Sequence, residues 1–377
     1  MRIVIAPNAF KECLSAPDVA EAIAQGVKCA CTEAEIIKVP LADGGDGTAE
    51  ALVAARGGRM VEMTASDPLM RPVDVQYGLF DDGKAAVIEM AIASGLWRLN
   101  EDEKNPLKTT TSGTGEMIRD ALERGVRTMV VGIGGSATTD AGIGMANALG
   151  YKFLDANGNT LPPTGESMNA VTHIDSSNVH PAVSEATFLV ASDVTNPLLG
   201  VEGAASVYGP QKGATPDMVE TLEQGLSNIE KRWYEDMGVR IGDMPGGGAA
   251  GGLGAGLAAF CGAEIRSGFD LVADYAKLDE ALDGASLVIT GEGKIDASTQ
   301  FGKVPAGVVK RAKMKCVPVI GLAGAVSSSS ASLESQGMMA VFSIVPGPID
   351  LQEAMNRAEE FLQQTTKQVI NIWRYKA

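Results

Sequence analysis

Leu287-Val288-Ile289-Thr290-Gly291-Glu292-Gly293-Lys294-Ile295-Asp296 places a short apolar run ahead of a cluster of glycines and charges. A run of that length bounded by turn residues reads as a buried strand that opens into a loop. The pattern repeats in kind toward the C-terminus. Val317–Leu322 and Ala340–Val345 read as strands, helices fall near Pro305–Lys313 and Ser330–Gln336, and a final helix starts at about Leu351. The chain also begins this way, with a strand at Arg2–Ala6, a loop through Lys11 and a helix from about Ser15 to Lys28. Ser15 with Asp18 resembles a capping pair, and Pro17 suits a first helical turn. A second strand at Glu35–Val39 leads into the Asp43–Gly47 loop and a helix ending near Gly57-Gly58.

Two βα units at one end and three strands at the other complete a doubly wound parallel sheet of five strands. Neither part alone can build its core. The expected organisation is therefore a discontinuous α/β domain, residues 1–62 and 275–377, with residues 63–274 inserted as a second, mixed α/β domain. From Arg59 to Met90, across the start of the insertion, Met60–Thr64, Val73–Leu79 and Ala85–Met90 read as hairpin strands with a turn at Asp81-Asp82-Gly83. Helices follow at Gly115–Arg124, Ala141–Leu149 and Pro216–Tyr234, and strands at Thr128–Ile133 and Phe188–Ala191.

Composition narrows the function classes. The chain has 377 residues, 45 of them glycine, and a formal net charge of −16, with a pI near 4.7. That charge argues against nucleic acid or an anionic membrane as the main partner. Five scattered cysteines form neither a disulfide framework nor a zinc pattern, which suits a reducing cytoplasm, and two histidines nearly exclude multi-histidine metal chemistry. Met244–Ala263 is uncharged over roughly twenty residues, long enough on paper to span a bilayer. Its glycine and alanine content reads better as a buried loop entering a small-residue helix. The N-terminal apolar run is too short for a signal peptide.

Glycine clusters mark the candidate sites. Ala42–Thr48 contains Asp43-Gly44-Gly45-Asp46, and Gly132–Asp140 contains Gly134, Gly135 and Ser136. The third, Gly246–Gly254, contains Gly247, Gly248, Gly251 and Gly252. Glycine lets backbone N–H groups approach an anion, and a helix start adds a favourable dipole. Ligands of open α/β sheets bind beyond the carboxyl ends of the strands, where Asn8–Lys11, Asp43–Asp46 and Gly291–Asp296 would lie. A lysine among carboxylates there can hold phosphate, while the acids bind Mg²⁺ or accept a hydroxyl proton. Each loop alone has a plain structural reading as a tight turn or N-cap. Asp193 and Asn196 follow a strand, where Pro197 holds them in an irregular loop; Asp193 could be a general base or belong to an Asx-turn. Lys212, between glycines, is either a phosphate ligand or an exposed lysine. No Gly-x-x-x-x-Gly-Lys-Ser/Thr P-loop, full dinucleotide fingerprint or protein-kinase signature is present.

Taken in order, Ile5-Ala6-Pro7 with Phe10-Lys11, Ala42–Thr48, Ile133–Thr138, Asp193 with Asn196-Pro197-Leu198, Gly209–Thr215, the run from Gly246 and Thr290–Asp296 resemble the type 1 glycerate kinase family over nearly the whole chain. The resemblance implies ATP- and Mg²⁺-dependent phosphorylation of D-glycerate, more readily at the 2-position, in a cleft between two domains, one of them flavodoxin-like. It puts Asp193, Lys11 and Lys212 forward as catalytic, and Asp43, Gly44, Gly45, Ser136 and Asn196 as contacts for glycerate. Gly134, Gly135, Gly247, Gly248, Gly251, Gly252, Gly291 and Gly293 would hold nucleotide and phosphate; Asp46, Glu292 and Asp296 would hold the metal. Small molecules are the expected partners, and self-association stays open. Family members commonly carry Asp-Ser where this chain has Asn8-Ala9, and Glu where it has Asp46. Position 8 is therefore not expected to supply an essential acid. The alternatives are a kinase for another small hydroxy acid and a non-catalytic sugar-acid binding protein.

Overall fold

The computed structural model describes residues 1–300, 303–327 and 331–376. Among the described residues thirteen strands run β1 (Arg2–Ile5), β2 (Glu35–Lys38), β3 (Gly58–Ser66), β4 (Pro72–Phe80), β5 (Ala85–Glu89), β6 (Thr128–Gly132), β7 (Lys152–Leu154), β8 (His173–Asp175), β9 (Thr187–Ala191), β10 (Glu264–Arg266), β11 (Leu287–Ile295), β12 (Val319–Val326) and β13 (Met338–Ser343). They divide between two compact units. The first comprises Met1–Asp43, Glu50–Gly57 and Phe269–Ala377; the second comprises Gly44–Ala49 and Gly58–Gly268.

The first unit is an α/β layer structure on a parallel sheet of order β13-β12-β11-β1-β2. Strand order reverses between β1 and β11, which creates the crevice where such sheets take ligands. Ile3, Val4 and Ile5 are fully buried, as a central strand covered on both faces requires. The helix Ala16–Ala30 starts on Ser15, whose hydroxyl accepts the Asp18 N–H. It packs Val19, Ile23 and Val27 into a core shared with Leu362 and Ile370 of the C-terminal helix Ala358–Lys376.

One boundary departs from the expectation. β11 does not end at Thr290 but stays paired with β12 through Ile295↔Val326. A Cβ added to Gly291 would lie 2.2 Å from the Leu322 carbonyl oxygen. Glycine there lets two parallel strands close up, so Gly-Glu-Gly-Lys-Ile is strand and not loop. The helix after β12 is observed over Ala331–Gln336, and Ser330 lies outside the described residues.

The second unit carries a mixed sheet of order β10-β9-β6-β5-β4-β3, parallel from β10 to β5 and antiparallel beyond. The β3–β4 hairpin keeps an unbroken register from Gly58↔Phe80 to Ser66↔Pro72. The helix Pro216–Met237 begins on Thr215 and ends on Gly238, whose φ of +71° suits a left-handed cap. It buries Trp233 edge-on against Phe260. β7, β8 and β10 are three residues each, too short for a hydrophobic period to show in sequence. The uncharged stretch forms the helix Leu253–Cys261. Among the described residues no helix is long and apolar enough to cross a membrane.

Candidate functional site

In the second unit the carboxyl ends of β5, β6 and β9 fall level. Glu89 pairs with Gly132, and Gly132 with Ala191. Against this edge lies the Gly44–Gly47 loop. Gly44 has φ +88°, and a Cβ there would sit 2.8 Å from the Ala191 Cβ. A glycine is required twice over, by conformation and by contact. A Cβ on Gly134 would lie 3.4 Å from the Gly45 Cα, and one on Gly135 would lie 3.8 Å from Asp46 Oδ1. The acidic loop and the Gly132–Asp140 loop are therefore neighbours, with Ser136 buried between strand ends and bridged to Gly95.

Glu89 holds this arrangement, and the sequence reading missed it. Its carboxylate is 5% exposed and accepts from Gly47 N at 3.0 Å and Ala49 N at 2.6 Å. These are orphan donors at the start of the helix Thr48–Arg56, where a negative charge also meets the helix dipole. The only signal in sequence is a lone acid closing the otherwise apolar Ala85–Ile88 run.

Asp193 stands exposed just beyond β9, and its Oδ1 accepts from Gly268 N at 2.9 Å. Asn196 is spent on its own loop: Nδ2 donates to the Glu202 carbonyl at 2.8 Å, and Oδ1 accepts from the Tyr208 hydroxyl at 2.7 Å.

Lys212 is 1% exposed, and its Nζ donates to the Thr138 carbonyl oxygen at 2.5 Å. Burial pushes its pKa down to about 7, against the pull of Asp140. Asp140 is itself fully buried; its carboxylate accepts from the N–H groups of Thr111, Gly142 and Gly144 and from the Thr111 hydroxyl. Burial raises the Asp140 carboxyl, and those donors pull it back. The Lys212–Thr138 hydrogen bond and the donors gathered on Asp140 prop the Gly132–Asp140 loop from behind.

The third glycine run backs onto the same loops. A Cβ on Gly248 would meet the Pro197 carbonyl oxygen at 2.1 Å, and one on Gly251, at φ +67°, would meet that of Thr138 at 2.0 Å. Gly252 presses on Leu198 and Ala141, and Gly247 on the Met244 carbonyl. Close packing within the unit accounts for these glycines.

The first unit contributes a separate group at the carboxyl ends of β1 and β11. Lys11 is exposed there, Asn8 is buried with Oδ1 accepting from Ala9 N, and Gly293 lies against Phe10 and Lys11. Glu292 is 6% exposed and accepts from the Thr299 hydroxyl. Burial raises its carboxyl; Thr299 and Lys303 oppose this, and Asp43 and Asp296 reinforce it. Asp296 is 3.2 Å from Lys294 Nζ. A cavity of about 910 Å³ opens beside these residues.

Among the described residues no group of three or more His, Cys, Asp or Glu side chains could hold a metal by itself. Mg²⁺ rarely needs such a cage: one or two carboxylates plus substrate phosphates suffice. Glu292, close enough to Asp43 and Asp296 to feel their charge, fits that mode. Asp46, the remaining metal candidate, belongs to the second unit beside Gly135.

The model of the glycerate kinase family matches residues 3–374. A glycerate kinase of Bacillus subtilis (strain 168) is 45% identical over 369 residues, covering 98% of this chain and 97% of that protein. The glycerate 2-kinase of Escherichia coli (strain K12) is 44% identical with the same coverage. A crystal structure from Salmonella typhimurium LT2, assigned as a glycerate kinase 2, superposes with a TM-score of 0.92 at 46% identity, over 100% of this chain and 99% of that one.

Proposed function

The chain belongs to the glycerate kinase family, and from that premise we propose that it transfers the γ-phosphoryl group of ATP to the 2-hydroxyl of D-glycerate. The coarser statement, a phosphotransferase with an alcohol acceptor acting on glycerate, follows from the family itself. The position of attack is the proposal, supported by the name of the Escherichia coli relative.

The observation that carries the reading is the level edge of β5, β6 and β9. It presents an exposed carboxylate, Asp193, beside glycine loops stiffened by buried charges. Phosphoryl transfer asks little covalent chemistry of a protein; positioning and charge neutralisation supply most of the acceleration. Asp193 accepts the proton of the glycerate 2-hydroxyl as that oxygen bonds to the γ-phosphorus and the bond to the β-phosphate oxygen breaks, releasing ADP. Its bond from Gly268 N occupies Oδ1 and orients the carboxylate. Ser136, Gly44 and Gly45 line the acceptor side, and within the first unit Lys11 supplies positive charge for anionic groups. Lys212, spent on Thr138, positions the glycine loop and does not bind phosphate itself. Mg²⁺ held through Glu292 and Asp296 would neutralise charge on the phosphates. All five cysteines are free, which supports a cytoplasmic setting.

Phosphorus NMR of the product tests the proposal. A 2-phosphoglycerate resonance formed from D-glycerate and ATP is expected; 3-phosphoglycerate would overturn the assigned position, and no phosphoglycerate would overturn the reading as a whole.

A further inference from the structure

We propose that the cavity at the carboxyl edge of the first unit's sheet binds the nucleotide, with the adenosine against the β12–β13 side and the phosphates toward Lys11, Lys294 and Lys303. The proposal rests on the kinase reading above and gives it a place for the base.

Size comes first. At about 910 Å³ the cavity lies at the upper end of the range for small-molecule sites and is far larger than a three-carbon acid requires. It also sits where the strand order reverses between β1 and β11, the ligand position of doubly wound sheets.

The lining is segregated along the sheet. Lys11 follows β1, Lys294 lies on β11 and Lys303 follows it, so three cations line one end of the cavity beside Glu12 and Glu292, Lys294 also pairing with Asp296. Moving outward, Lys294 pairs with Ala325 of β12, and the next strand end supplies Ile344, Val345 and Pro346. The helix Leu351–Asn356 completes the wall with Ala354 and Met355. An anionic tail joined to a flat, mostly apolar head matches that gradient. The loop bearing Lys11 is also held in place: Cys13 Sγ donates to the Met355 carbonyl at 3.1 Å, Phe10 bridges Leu14, and Glu12 adopts φ +61°. A left-handed glutamate beside a cavity lysine is strain of the kind kept at ligand sites.

The competing cradle is the second unit's glycine run. There Gly248 and Gly251 already press on backbone carbonyls at 2.1 and 2.0 Å from a notional Cβ, so packing explains them without a ligand.

Photolabelling of the full-length protein with 8-azido-ATP, followed by peptide mapping, is the direct test. Label within residues 324–327 or 343–358, protected by ATP, is expected. Label in 132–140 or 246–254, or none that ATP protects, overturns the assignment. As a second measurement, Ala354→Trp fills the apolar end; the KM for ATP rises tenfold or more, with the shift confined to ATP. An unchanged KM for ATP in folded protein overturns the assignment as well. Phosphoglycerate formation by the unsubstituted enzyme is scored separately, so the location of the base can fail while the kinase reading stands.

Discussion

Replacing Glu89 by Gln changes no volume and removes one charge, which isolates the anchor of the acidic glycine loop. The carboxylate now meets two N–H donors, Gly47 at 3.0 Å and Ala49 at 2.6 Å, in a site 5% exposed. Glutamine keeps one acceptor and turns an NH₂ group toward the other donor. The loss comprises one hydrogen bond to a charged group, about 1.5–3 kcal/mol, and the helix-dipole interaction, about 0.3–1 kcal/mol. The sum is roughly 2–4 kcal/mol, below the ~5–15 kcal/mol that holds a domain together. The protein therefore stays folded while the loop loosens. Amide exchange read on a peptide spanning residues 44–50 reports this locally, which matters because two compact units need not unfold in one step. Each 2 kcal/mol accelerates exchange about 30-fold. Because the loop carries Asp46 against Gly135, kcat/KM should fall at least tenfold. Exchange within threefold of the unsubstituted protein would refute the anchoring, and normal kcat/KM despite fast exchange would refute its bearing on the reaction.

Other consequences are as direct. Asp193→Asn retains the acceptor for Gly268 N but cannot take a proton, so kcat should drop about 10²–10⁴-fold; near-normal turnover in folded protein removes the general base from the mechanism. Gly251→Ala forces a Cβ to within 2.0 Å of the Thr138 carbonyl oxygen at φ +67° and should destabilise the second unit by about 2–5 kcal/mol; a loss under about 1 kcal/mol in urea unfolding contradicts the packing account. Lys212 titrates near 7 when folded and at 10.5 otherwise. Between those values the unfolded chain holds a proton that the folded chain has released. The cost of burying the ammonium is full below pH 7 and lifts as pH rises toward 10.5. Relative to Lys212→Met, the unsubstituted protein should thus gain up to about 1.4 kcal/mol per pH unit in that window; parallel stability curves would exclude it.

What could be read from sequence was whatever local pattern decides. The apolar runs at β1, β11 and β12, and the cap at Ser15, identify their elements because burial and capping act on neighbours in the chain. The five-stranded parallel sheet became legible once both ends were taken together, while its flavodoxin-like character came from the family resemblance. β10, only Glu264-Ile265-Arg266, carries no period and exists because β9 offers it a free edge. Lys212 looks like a solvated loop lysine in Gln211-Lys212-Gly213, and only Thr138 and Asp140, far away in sequence, make it a buried prop.

The glycines show where such reading stops. In sequence, Gly47, Gly251 and Gly291 look alike, each beside small or acidic residues, and all invite a phosphate. A notional Cβ separates them: at Gly47 it meets nothing within 4 Å, at Gly251 a loop carbonyl, at Gly291 the neighbouring strand. The last two are glycine because the chain itself occupies the space a side chain would need. At Gly47 space is not the reason; a φ of +84° and an N–H aimed at Glu89 are. Glycine content therefore counts close approaches of any kind, and an approach left open for a ligand is distinguished only after the protein's own contacts are subtracted. Among the candidate loops that subtraction removes Gly248, Gly251 and Gly291 and leaves Gly47, Gly134, Gly135 and Gly293 with ordinary contacts or none. It takes the third glycine run out of the candidates, in line with the proposed placement of the nucleotide in the first unit's cavity.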